Sequence, residues 1–396
     1  MASNLMGTVC CQGQEAFFSR ILINVNDKSQ CSGCGACAQR CPRSCITMVA
    51  DEMGFSYPVV DMEACVDCHL CEQVCTFLNT AEPRVPVECI AAVNDDESVR
   101  LSSSSGGVFT LMARDVVSRG GVVFGARFDA DWSVRHDYAE TLEGIVAFQG
   151  SKYVQSVIGD SFVQVERFLK QGREVLFSGT PCQVAALKLF LGNRCPATLF
   201  TVEVVCHGVP SPLVWQHYLA SKTRGKAVSA VNFRDKSNGW RDYSLRIGRR
   251  LRHHDIDHYM RLFLSNYALR PSCFNCPSKS GRSGADITLG DLWGVGRIAP
   301  SLNDDKGTGL VIVNTESGRA LVERCRISRT AQVSYAQAVE MNHAIDRPTT
   351  KYKEDYAAFW RDFPQNPSRA IRHYGRRNQP SRMVRIKRYL SRLLKH

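Results

Sequence analysis

Two cysteine runs constrain this chain more than any other feature. CSGCGACAQRCP places Cys31, Cys34, Cys37 and Cys41 before Pro42, and CVDCHLCEQVC repeats the spacing at Cys65, Cys68, Cys71 and Cys75. Three thiols separated by two residues each can wrap three corners of a cubane cluster from one tight turn, and the fourth, three residues on, reaches the neighbouring cluster. The spacing predicts one 4Fe-4S cluster on Cys31, Cys34, Cys37 and Cys75 and another on Cys65, Cys68, Cys71 and Cys41. Tetrahedral zinc is the poorer reading, because zinc sites usually hold two CxxC pairs apart with a longer loop. Thr76 stands where such a run usually carries proline, a departure that removes no ligand, and Cys45 reads as a buried apolar thiol.

The chain has 18 cysteines. Their number favours metal ligands or redox groups over disulfides, given a cytosolic setting where thiols stay reduced. That setting is expected because no run of 18 apolar residues and no signal-peptide pattern occurs. Beyond the two runs, Cys182 in SGTPCQ, Cys206 in VVCHGVPSP and the pair Cys273 and Cys276 in PSCFNCPS sit on loops after apparent strands. They can supply four thiolates to a third cluster, or form one redox-active or zinc-binding CxxC beside two unrelated core cysteines. Cys10, Cys11, Cys89, Cys195 and Cys325 have no spacing that argues for ligation.

A length of 396 residues, 44% hydrophobic, suggests two or three domains with ample core. Residues 1–82 read as a two-cluster, bacterial ferredoxin-like α+β domain, with a proline-containing linker over 79–88. From Cys89 onward CIAAV, GVVFGARF, REVLFSG and TLFTVEVVC alternate with helical patterns such as DSFVQVERFLKQG and CQVAALKLFLG. Residues 83–326 therefore read as an α/β domain with a mostly parallel sheet, turning α+β in its second half. Residues 327–396 form a C-terminal extension. The net charge of +12 is concentrated there, since residues 367–396 hold ten Lys and Arg and no Asp or Glu. Met383, Ile386, Leu390, Leu393 and Leu394 share one face of a basic amphipathic helix, fit for peripheral contact with the inner face of a membrane or for an acidic partner; a solvated tail is the alternative. Nucleic acid is not an expected partner, because no base-reading motif accompanies the charge.

An α/β domain beside electron relays should hold a group that pairs their single electrons, and a flavin does so. SSSSGGVF places Ser103, Ser104, Gly106 and Gly107 at the start of a helix, where free N–H groups favour a phosphate. Taken in order, the two cysteine runs, SSSSGGVF, GGVVFGARFD, GSKYVQS, VLFSGTPCQVAALK, VVCHGVPSPLVW, VNFRDKSNGW, LRPSCFNCPSK, ADITLGDLWG and DDKGTGLVIVNT resemble the coenzyme F-420 (deazaflavin) hydrogenase and dehydrogenase beta-subunit family over about residues 28 to 325. The likeness is to the bacterial branch associated with polysaccharide biosynthesis and, more distantly, to hydroxymethyl chlorophyll reductase. The resemblance implies FAD beside 4Fe-4S clusters, a third cluster on Cys182, Cys206, Cys273 and Cys276, and flavin or substrate contacts at Ser103, Ser104, Gly106, Gly107, Ser151, Lys152, Tyr153, Thr180 and Gln183. Lys306 and Thr308 in DDKGTG are candidate phosphate contacts. Arg234, Asp235, Trp240 and Asp291 match family motifs and read equally as buried ion pairs or packing aromatics.

Reduction of an acceptor at a flavin also needs a proton donor, for which Tyr153, Lys152 and His207 are the candidates, His207 reading also as a hydrogen-bond partner of a cluster. The expected function is an iron-sulfur flavoprotein oxidoreductase passing electrons from reduced ferredoxin or another redox protein, through the clusters and FAD, to a small-molecule or glycan-linked acceptor. Two other readings stand beside it: an electron-transfer subunit for a separate catalytic partner, and a redox-regulated component of glycan biosynthesis at the membrane.

Overall fold

In the computed structural model, the described residues are 25–350 and 353–377, with Ile23, Ser381 and Met383. The amphipathic face expected at Ile386, Leu390, Leu393 and Leu394 lies outside them.

The first unit is a small cysteine-rich module. Strands β1 (Ile46–Ala50) and β2 (Ser56–Val60) pair antiparallel, and short helices Ala36–Arg40 and Leu70–Gln73 follow the two cysteine turns. The turns share one backbone path. Gly33 and Gly35 take φ of 67° and 69°, and the residues 34 positions later, Asp67 and His69, take 54° and 56°. Left-handed backbone costs a side-chain-bearing residue roughly 1–2 kcal/mol. Its recurrence at matched positions is what bends each CxxCxxC run into a cup.

The second unit is built on an eight-stranded sheet. Its strands are β3 (Glu88–Val93), β4 (Val122–Phe128), β5 (Val134–Ala139), β6 (Val175–Gly179), β7 (Leu199–Val204), β11 (Ile287–Asp291), β12 (Gly309–Val313) and β13 (Arg329–Gln332); β8 (Val231–Asp235), β9 (Ser244–Ile247) and β10 (Arg250–His253) make a separate antiparallel sheet. The large sheet runs β13-β3-β12-β11-β7-β6-β4-β5. Its centre, β4-β6-β7-β11, is parallel as the strand-helix alternation predicts, but β5, β12, β3 and β13 join antiparallel, so the sheet is mixed rather than mostly parallel. The parallel strands read as unbroken apolar runs because both faces are covered: Val122, Phe124, Val175 and Phe177 face one core, Val123, Leu176 and Val202 the other.

Residues 327–350 and 353–377 pack into the body. β13 hydrogen-bonds to β3, and the helices Lys353–Asp362 and Pro367–Arg377 bring Phe359, Phe363, Ile371 and Tyr374 into the core formed by Trp215, Phe233 and Tyr259 beside the small sheet. Short polar strands such as β13 carry little signal of their own; their partners decide them. Among the described residues no helix is long and apolar enough to cross a membrane.

Candidate functional site

The fold brings Cys75 of the second run close to the cysteines of the first. Burial raises the thiols of Cys31, Cys34 and Cys37, Cys34 up to about 11, and each also feels the charge of Cys75 from the other run. The second run surrounds a small chamber lined by Cys41, Cys65, Cys68 and Cys71, with Cys68 exposed to solvent. Cys45 is buried as expected, but its sulfur borders this chamber, 3.3 Å from that of Cys41.

Four further cysteines converge from three loops. Cys182 lies in the first turn of the helix Pro181–Leu191, Cys206 follows β7, and Cys273 and Cys276 belong to the tight turn Pro271–Asn275 and the residue after it. Burial holds the Cys182 thiol well above its ordinary range, and Cys276, Cys206 and Cys273 all add to that shift. Burial likewise raises Cys206, Cys273 (to about 12) and Cys276. Four thiols this desolvated stay protonated unless a metal centre claims their sulfurs. Donors already face them: Val209 N–H lies 3.4 Å from the Cys273 sulfur, and Thr180 Oγ1 lies 3.2 Å from that of Cys182. The four cysteines expected on loops lie close enough for Cys182 to feel the other three, and Cys206 also lines the wall of a cavity.

That cavity, about 450 Å³, opens at the carboxyl ends of β6, β7 and β11, where ligands gather in open α/β sheets. Ser103, Ser104, Gly106, Gly107, Ser151, Lys152, Tyr153, Thr180, Gln183 and His207 all line it. Gly107 (φ 79°) turns the chain into the helix Val108–Ser118, whose first N–H groups have no side-chain cap. Several hydroxyls and amides are committed elsewhere. Ser103 Oγ bonds the Val99 carbonyl (2.7 Å), and Gln183 spans the Thr180 N–H (2.9 Å) and Ser156 Oγ (2.9 Å) as a helix cap. Lys306 and Thr308 are not at the cavity. Lys306 pairs with Glu97 at the surface (2.8 Å), and buried Thr308 donates to the Leu302 carbonyl (2.8 Å).

Two buried side-chain polar atoms of the wall have no hydrogen-bond partner, one of them on a residue that no motif singles out. His136 lines the cavity from β5. Burial drives its pKa down to about 4, so the ring is neutral; Nε2 donates to the Ser178 carbonyl (3.0 Å), leaving buried Nδ1 as an acceptor without a partner. Arg234 pairs with Asp291 (3.0 Å), and its ring neighbours are Tyr243 (4.2 Å) and Trp293 (5.5 Å); its Nε is buried without an acceptor. An inward histidine on an edge strand looks like core filler in sequence, so His136 gives no signal there. Lys152 is held by the carbonyls of Gln149 (3.1 Å) and Gly150 (3.2 Å), and burial pushes its ammonium down to about 7. Tyr153 accepts from Arg234 (3.3 Å) and stacks on Phe263 (4.4 Å). His207 is lowered by burial, and its Nε2 donates to Asn266 Oδ1 (2.6 Å).

Two family models match the chain in the order cluster domain, then larger unit. Residues 172–338 match the family model for the C terminus of the coenzyme F420 hydrogenase/dehydrogenase beta subunit, and residues 30–78 match that of a 4Fe-4S dicluster domain. No curated protein matches the chain. Among solved structures, a chain of the F420-reducing [NiFe] hydrogenase complex from Methanosarcina barkeri superposes with a TM-score of 0.49 at 17% identity, covering 73% of this chain and 95% of that one. The chain thus carries a 4Fe-4S dicluster domain followed by a region similar to the C terminus of the coenzyme F420 hydrogenase/dehydrogenase beta subunit.

Proposed function

We propose that this electron-transfer protein is an iron-sulfur flavoprotein oxidoreductase, taking electrons from reduced ferredoxin or a similar small redox protein and passing them through its clusters to FAD and a two-electron acceptor. The observation that carries the reading is the double position of Cys206, which belongs to the third cysteine site and to the cavity wall. FAD bound there would exchange the single electrons of clusters for the pair that most organic acceptors need. The lining fits such a group: an uncapped helix start for a phosphate, His136 Nδ1 as acceptor and Arg234 Nε as donor.

Electrons would enter at exposed Cys68, flanked by the exposed apolar side chains of Met62 and Val66. Lys152 is the proton donor in this reading. Its Nζ sits between two carbonyls with a pKa close to neutrality, where a general acid works best. Tyr153, oriented by Arg234, would bind the acceptor, and His207, tied to Asn266, would orient the chain at Cys206. The acceptor class, a small molecule or a glycan-linked group, belongs to the same proposal.

Iron, acid-labile sulfide and flavin content of protein purified without oxygen tests it. About 12 irons, at four per cluster, with one flavin is the expected result. About eight irons with no flavin, and none taken up on addition of FAD, refutes the flavoenzyme reading.

A further inference from the structure

Three arginines are buried among the described residues. Arg100 is neutralised by Asp304 and Arg234 by Asp291. Arg270, only 1% exposed, has no carboxylate within 4 Å among the described residues. Its donors go instead to the first cysteine turn and to the residues that clasp it. Nε bonds the Cys31 carbonyl (2.7 Å), Nη2 the Ser56 carbonyl (3.0 Å), and Nη1 the Gln155 side chain (3.1 Å); Nη2 also lies 3.7 Å from the Cys31 sulfur. Tyr57 and Phe55 rings cover the guanidinium at 4.3 and 5.4 Å.

A guanidinium keeps its charge in proteins, and burying an unpaired charge is costly unless something negative compensates it. A cube held by four thiolates is that counter-charge, and it gains a further negative charge on reduction. A fixed cation beside it favours the reduced form. The second turn is the opposite case. At the position of Gly33 stands Asp67, Cys71 feels the charge of Glu72, and the basic neighbours, Arg43 and His69, are both solvent-exposed.

We infer that Arg270 is a positioning residue that raises the reduction potential of the cluster held by Cys31, so that electrons arriving at the exposed, acidic cluster run inward to it and on toward Cys273 and Cys276, three and six residues after Arg270. The order of the two potentials rests on the N-terminal clusters alone and stands whether or not Cys273 and Cys276 hold a cluster or the cavity holds flavin.

The test is an anaerobic redox titration of the whole protein followed by electron paramagnetic resonance, with the Cys31 cluster identified by the change in its signal in Cys31→Ser. The expected order in the native protein is Cys31 cluster above its partner. Coincident midpoints, or the reverse order, overturn the inference. In Arg270→Gln that retains its iron, the reduced-to-oxidised ratio of the Cys31 cluster at its native midpoint should fall at least tenfold, which is 59 mV for a one-electron couple, with the partner cluster unmoved. Arg270→Lys should keep most of the native potential. An unmoved Cys31 cluster in iron-replete Arg270→Gln also overturns it. If Arg270→Gln fails to hold iron, the order in the native protein decides.

Discussion

Gly33 and Gly35 offer a matched pair of perturbations. Both have left-handed φ, and both correspond to non-glycine residues in the second cysteine turn, so the turn itself tolerates a side chain at either place. An added Cβ at Gly35 would meet only Gln39 Nε2, at 3.9 Å. At Gly33 it would fall 2.6 Å from Arg270 Nη1 and 2.8 Å from its guanidinium carbon, forcing Arg270 out of its seat between the two units. Each alanine then costs roughly 1–2 kcal/mol for the backbone. Gly33→Ala adds the loss of at least one hydrogen bond from a charged group, about 1.5–3 kcal/mol. At about 1.4 kcal/mol per factor of ten, the extra term is roughly ten- to a hundredfold. Because cluster loss is irreversible, the assay is a rate: anaerobic bleaching of the iron-sulfur absorbance in urea. Gly35→Ala should bleach several-fold faster than the native protein, and Gly33→Ala at least tenfold faster again. Equal rates for the two variants would show that the Arg270 clasp contributes nothing to holding the module.

Other substitutions probe the remaining parts of the site. Cys206→Ser should lower the iron content by about four atoms and leave the N-terminal clusters in place; unchanged iron would separate Cys206 from any cluster. If Lys152 supplies the proton, kcat/KM needs its ammonium form, present below about pH 7 and lost as pH rises through that value. The profile should therefore fall about tenfold per unit above pH 7, and Lys152→Gln should lower turnover by about 10² to 10⁴ and abolish that limb; a profile identical to the native one would exclude Lys152. Phe359→Ala, on the helix Lys353–Asp362, empties a fully buried ring and should cost about 3–5 kcal/mol, seen as a clear fall in the unfolding temperature. No change would mean that this helix is not part of the core.

Much of the site was legible because its parts are local. The two cysteine turns need only spacing, and the reach of the fourth residue anticipates that Cys75 comes near Cys31, Cys34 and Cys37. The central strands announced themselves as apolar runs since both of their faces are covered. The ten expected cavity residues from Ser103 to His207 do line one cavity, yet the sequence could not say which of their atoms are spent: Gln183 caps a helix and Ser103 closes a turn. Lys306 and Thr308 looked like phosphate ligands by motif alone, while their partners, Glu97 and Leu302, are fixed only by folding.

The sequence by itself determined the chemistry: which residues are thiols, how they are spaced, and therefore that iron-sulfur clusters are held at the N-terminal end. Only the tertiary structure decided the neighbours across long separations. It brought Cys182, Cys206, Cys273 and Cys276 close together beside the cavity. It made the sheet mixed by joining β12, β3 and β13 to the parallel core through successive antiparallel pairings. It also seated Arg270 against Cys31, 239 residues away. Spacing governs ligands carried on one turn because the chain's own geometry sets their reach. Burial, charge and tautomer belong to whatever packs alongside, and that is fixed when the whole chain closes on its core.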